Sequence, residues 1–110
     1  MQSIVKIGLA CSLTLLMCQQ SLAEWDASAG RKKAETCMGC HAVPHYVNTY
    51  PTYHVPKLGG QHKEYIIAAL NGYRDKQRSH STMHANAVSL TDQDIADIAA
   101  YFAQGLGGEK

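Results

Sequence analysis

Apolar residues recur along this chain in two stretches at the spacing of an α-helix. Tyr65, Ile66, Ala69, Leu70 and Tyr73 share one face of a segment from about His62 to Arg74, while Lys63, Glu64 and Asn71 face away. Gly72 weakens the end of this segment. Further on, Ile95, Ile98, Ala99 and Phe102 form a second stripe. Thr91 is a suitable N-cap for it, Asp94 can return the hydrogen bond, Leu90 and Ile95 are placed for a hydrophobic staple, and Gly105 is the stop. Asp92 and Asp94 suit the positive end of the helix dipole. A further helix is predicted from about Asp26 to Cys37, capped by Asp26 or Ser28. Its small-residue face (Ala27, Ala29, Gly30, Ala34) lets another helix approach closely. Arg31, Lys32 and Lys33 read as its solvated side, with no binding role. Nothing alternates as a strand, so the expected class is all-α, with three main helices.

Two long loops separate these elements. Ala42 to Gln61 holds Pro44, Pro51, Pro56 and Gly59-Gly60, and Ser79 to Leu90 holds Met83 between His80 and His84. Loops of this length in a small domain are usually functional or packed against something.

The N-terminal end has a different pattern. Lys6 is followed by an uncharged apolar run from Ile7 to Met17, and Ser21-Leu22-Ala23 offers small residues to a signal peptidase. That order predicts a secretory signal over residues 1–23 and a domain over 24–110, with residence in the periplasm; the apolar run is too short for a membrane-spanning helix. An uncleaved anchor is the competing reading, and a lipid anchor fits poorly because Met17 precedes Cys18.

Removal of residues 1–23 takes away Lys6 and no acid, so the formal charge falls from +1 to 0. A neutral chain without a basic patch predicts no nucleic-acid partner and no strong membrane binding. Cys11 and Cys18 leave with the signal, so only Cys37 and Cys40 of the four cysteines remain. A domain this short needs a staple, and a disulfide across two intervening residues closes almost no loop.

Cys37-Met38-Gly39-Cys40-His41 supplies the staple. Two thiols three positions apart at a helix end can add across the two vinyl groups of a haem, and the next residue then lies beneath the iron as an imidazole ligand. Cys-x-x-Cys-His is the attachment signature of c-type haem. A thioredoxin-like exchanger would need a βαβ unit, and a structural zinc site commonly has a second ligand pair; neither is present. The expected cofactor is one haem c, bound through Cys37 and Cys40, with His41 on the iron. Met38 sits inside the attachment loop, which leaves Met83 as the methionine for the sixth position; His80 and His84 are the alternatives there. Pro56 is suited to offer a backbone carbonyl to the His41 Nδ1–H, and Leu58 to pack on the haem face.

These residues carry a resemblance. Cys37-Met38-Gly39-Cys40-His41, Pro56-Lys57-Leu58-Gly59-Gly60-Gln61, Tyr65 to Leu70 with Tyr73 and Arg78, Met83 with Ala87, and Leu90 to Asp97 through Ala100-Tyr101-Phe102 resemble a class I c-type cytochrome. The likeness covers nearly all of residues 26–104. It is to the small one-haem periplasmic cytochromes of bacteria and to one half of their two-haem relatives. The resemblance implies crossed N- and C-terminal helices, with Gly30 and Ala34 against Tyr101 or Phe102. It also implies a single-electron carrier rather than an enzyme, served by redox protein partners as donor and acceptor. A haem subunit of a larger oxidoreductase, or a peroxidase-like protein in which Met83 does not bind, are the other readings. The chain departs from the family between Ala42 and His54, where prolines and tyrosines replace a glycine-rich loop; a small core is the expected place for Tyr46, Tyr50 and Tyr53, and lining the haem is the other reading.

Overall fold

Asp26 sets the start of the first helix. In the computed structural model, which describes residues 24–106, its carboxylate accepts the backbone N–H groups of Ser28 and Ala29 at 2.8 and 3.1 Å. This caps α1, Ala27–Lys33. A one-residue interruption at Ala34 separates it from α2, Glu35–His41. The helix expected from Asp26 to Cys37 is therefore two short helices, the second running on through the haem-attachment signature to His41.

The other elements are β1 (Val47–Thr49), β2 (Thr52–His54), α3 (Lys63–Arg74), α4 (Ser81–Ala87) and α5 (Asp92–Ala103). At the start of α5, Thr91 and Asp94 exchange side-chain hydrogen bonds with each other's backbone, the expected capping box. Gly105 follows the helix with φ 84°, and its N–H bonds to the Phe102 carbonyl at 3.1 Å. Only glycine adopts that backbone without cost.

Helix α5 is the axis of the fold. Ile95, Ile98 and Phe102 are its largest fully buried side chains, each contributing roughly 1.5–3 kcal/mol through burial. Around them gather Ala34, Ile66, Leu70, Ala87 and Ala99. Helices α1 and α3 both pack on α5, and α4 packs on α3. At the contact of α1 with α5, Gly30 lies against the backbone of Asp97, and a Cβ there would run into the Asp97 carbonyl and sit 3.0 Å from the Tyr101 Cβ. Gly30 thus meets Asp97 as well as Tyr101.

The same contact contains a buried charge. Asp97 is only 3% exposed, and its carboxylate accepts from Asp26 N–H at 3.0 Å, Gln93 Nε2 at 2.8 Å and Lys33 Nζ at 2.7 Å. Lys33 also pairs with Asp94 at 2.8 Å. Lys33 is therefore a tie between α1 and α5, whereas the pattern of charges placed it with Arg31 and Lys32 on a solvated face.

Further differences from the sequence reading concern two short elements and two tyrosines. Residues 81–87, expected as loop, form α4. Residues 47–54, where no strand was expected, form an antiparallel hairpin with Val47 opposite His54, Asn48 opposite Tyr53 and Thr49 opposite Thr52. Asn48 and Tyr53 point to the half-buried face and their neighbours to solvent. Tyr50, at the turn, is 91% exposed and fills no core. Tyr65 is also outside the core: half-exposed, it hydrogen-bonds Arg78 at 3.4 Å.

Candidate functional site

The Cys37 and Cys40 thiols and the His41 imidazole all lie on α2, within little more than one helical turn. Helix α2 begins at the buried Ala34, whose carbonyl accepts from Cys37 N–H at 2.9 Å and Met38 N–H at 3.1 Å. Because Ala34 belongs to the core, the attachment residues start directly from the hydrophobic core. Both cysteines are half-buried, and Cys37 packs against the core cluster. Burial pushes the Cys37 thiol above its ordinary value, with hydrogen bonding to Thr36 acting in the opposite direction.

His41 Nδ1 lies 2.7 Å from the Pro56 carbonyl oxygen. A carbonyl can only accept, so Nδ1 carries the proton and Nε2 keeps its lone pair. The ring is thereby set in the tautomer that binds metal through Nε2. The chain around Pro56 is held in turn. Val55 N–H bonds to the Tyr46 carbonyl at 3.0 Å, extending the hairpin, and Gly60 N–H bonds to the Phe102 carbonyl at 2.8 Å, docking the loop on the end of α5. Leu58 packs against the core beside this loop.

Met83 lies in the middle of α4, half-buried and in contact with the same core cluster as Cys37 and Leu58. Met38 also touches that cluster, but its sulfur is engaged elsewhere, accepting from the Tyr101 hydroxyl at 3.9 Å. His80 and His84, the alternative ligands, each use Nδ1 in a hydrogen bond within the protein, which does not engage Nε2. His80 Nδ1 accepts from Met83 N–H at 3.3 Å, and His84 Nδ1 bonds to the Tyr73 carbonyl at 2.8 Å. The bonds of Tyr53 to α4 had no signal in the sequence: its hydroxyl donates to Thr82 Oγ1 at 3.2 Å, and its ring meets the His80 ring edge-on at 4.7 Å.

Two thiols at attachment spacing, an imidazole with a free Nε2 and a thioether, with Cys37 and Met83 touching one apolar cluster, are the donor set of a c-type haem. Among the described residues, no three His, Cys, Asp or Glu side chains gather into a cage for a bare metal ion.

Comparison with known proteins agrees with this chemistry. Residues 27–105 match the cytochrome c family, and the chain belongs to it. It is 37% identical over 98 residues to cytochrome c4 of Pseudomonas aeruginosa, an alignment covering 89% of this chain and 47% of that protein. Cytochrome c4 of Thiocapsa roseopersicina is 40% identical over 79 residues, 71% of this chain and 39% of the relative. The chain thus spans half or less of the length of these two relatives. Cytochrome c-554(548) of Halomonas halodenitrificans is 41% identical over 81 residues, covering 71% of this chain and 94% of that protein. Class I cytochromes of this family carry covalently bound haem c, one per domain, and transfer electrons to redox partners.

Proposed function

We propose that this chain is an exported one-haem electron carrier, with Cys37 and Cys40 as the covalent anchors and His41 and Met83 as the axial ligands. The observation that carries this reading is the His41–Pro56 hydrogen bond, which fixes an imidazole directly after the two thiols in its metal-binding tautomer. Bound haem supplies an iron that takes up and gives back one electron.

The protein residues make that exchange easy by changing little. Cys37 and Cys40 would hold the group from α2, and His41 is oriented by the Pro56 carbonyl. Met83, presented by α4, offers a soft sulfur that favours the reduced iron and raises the potential relative to a second histidine. Leu58, Ile67 and Tyr73 are half-buried around the same core, and would exclude water from the cofactor face.

Residues 1–23 lie outside the described residues, and their reading as a secretory signal, with the domain at 24–110 and a periplasmic location, belongs to this proposal. It is supported by the basic-apolar-small order of the sequence. No helix among the described residues is long and apolar enough to cross a membrane. Near-zero net charge on residues 24–110 leaves little long-range steering, so recognition of electron donor and acceptor would rest on short-range contact more than on charge.

The test is the optical spectrum of the oxidised protein. The proposal requires a weak sulfur-to-iron band in the far red, lost in Met83→Ala together with a fall in potential. A Met83→Ala spectrum identical to the parent's would remove Met83 as ligand, and a high-spin parent spectrum would favour a peroxidase-like protein.

A further inference from the structure

Helix α4 presents Met83, yet it has little to hold it in place. It is seven residues long, Ser-Thr-Met-His-Ala-Asn-Ala, and its only buried residue is Ala87. A helix this short and polar is not stable on its own, so its position must be imposed by neighbours.

One neighbour acts on Met83 itself. His80 is the N-cap of α4, with extended backbone at φ −170° and ψ 108°, and its Nδ1 accepts the Met83 N–H at 3.3 Å. Histidine is not among the residues usually chosen for this position. Its ring does something that a serine or aspartate cap could not: it lies between two aromatic rings. Tyr53 meets it edge-on, with centroids 4.7 Å apart and planes at 81°, and Tyr73 does so at 6.1 Å and 75°. Tyr53 also bonds Thr82, the residue before Met83, at 3.2 Å. Three residues beyond Tyr53, Pro56 carries the carbonyl that orients His41. A single segment of chain therefore touches both iron-ligand candidates, His41 directly and Met83 through His80.

We propose that His80 is a positioning residue for the Met83 thioether, held against the hairpin by Tyr53. This rests on the reading of Met83 as the sixth iron ligand. His80 fixes the first turn of α4 by accepting the Met83 N–H, and through that turn it keeps the sulfur on the iron. Loss of the acceptor lets the turn fray, and the sulfur yields more readily to a competing ligand.

The experiment uses the full-length haem-loaded protein and titrates the oxidised form with free imidazole, which competes with Met83 for the iron. Loss of an N-cap acceptor predicts that His80→Ala binds imidazole about fivefold more tightly than the parent, with the far-red band weakened. His80→Asn, which restores a short acceptor without the ring, should bring affinity part of the way back to the parent's. Thr91→Ala removes the N-cap of α5, away from Met83, and should lower overall stability while leaving imidazole affinity at the parent value. The proposal is overturned if His80→Ala binds imidazole as the parent does, if His80→Asn fails to rescue, or if Thr91→Ala tightens binding equally. Should His80→Ala not accumulate as a haem protein, His80→Phe keeps a ring against Tyr53 without an acceptor, and parent-like affinity there also overturns it. Met83→Ala separates the two readings: retention of the far-red band in that variant rejects Met83 as ligand, whereas its loss combined with an unaltered His80→Ala rejects only the positioning role.

Discussion

The His41 imidazole and the Pro56 carbonyl meet at 2.7 Å across fifteen positions of chain. The bond ties the end of α2 to a loop that is itself fastened to the end of α5 through Gly60 and Phe102. The orientation of the proposed iron ligand thus depends on the same helix that forms the core.

Pro56→Ala retains the carbonyl but frees the backbone that aims it. A weaker Nδ1–H bond donates less electron density through the ring, so the oxidised iron is less well stabilised. The midpoint potential of Pro56→Ala should rise, as read by spectroelectrochemical titration, with the haem still attached. An unchanged or lower potential would show that this bond does not tune the site.

Gly30→Ala separates helix propensity from packing. In a free helix the change gains about 1 kcal/mol. Here the added Cβ meets the Asp97 backbone across the α1–α5 contact, and backbone cannot swing aside as a side-chain tip would. Overpacking of this kind costs about 3 kcal/mol, so the net effect should be a loss of stability, seen as a fall in Tm of roughly 10 °C. A stabilised variant would mean that the two helices are not in close contact.

Acid should weaken the same contact. Lys33 beside Asp94, with the Thr91 N–H, holds the Asp94 carboxyl at about 2, down from the ordinary 3.8. Burial pushes Asp97 up, but the hydrogen bonds from Lys33, Asp26 and Gln93 outweigh it and hold the group below its ordinary value. Both carboxyls are therefore stronger acids folded than unfolded, and the unfolded chain takes up protons first. Their contribution is complete above about pH 4 to 5 and is lost as the pH falls toward 2. Denaturant titrations across this range should show a steeper acid decline in the parent than in Lys33→Met. Parallel declines would exclude the Lys33 tie as their source.

What could be read from the residues alone was what repeats or what is bonded. Helices α3 and α5 stood out because their apolar residues recur at helical spacing, and the capping box of Thr91 and Asp94 announced where α5 starts. The attachment signature was legible because covalent chemistry dictates its spacing, and Met83 was reached by elimination among methionines. Helix α4 escaped because it buries only Ala87, so its sequence carries no stripe. The hairpin escaped because strands of three residues are too short for alternation to register. Lys33 and Asp97 lie 64 positions apart, and no local pattern links them. Tyr53 and His80 are in the same position: their contact exists only once the hairpin and α4 have been brought together.

Covalent attachment of haem through Cys37 and Cys40 is open to one decisive measurement: the intact mass of the protein purified after expression with a c-type maturation apparatus, taken following acid-acetone extraction. Covalent attachment predicts a polypeptide heavier by one haem that stays coloured, and a colourless polypeptide of unmodified mass when both cysteines are changed to alanine. Haem that extracts freely from the parent, or a parent polypeptide of unmodified mass, would contradict it.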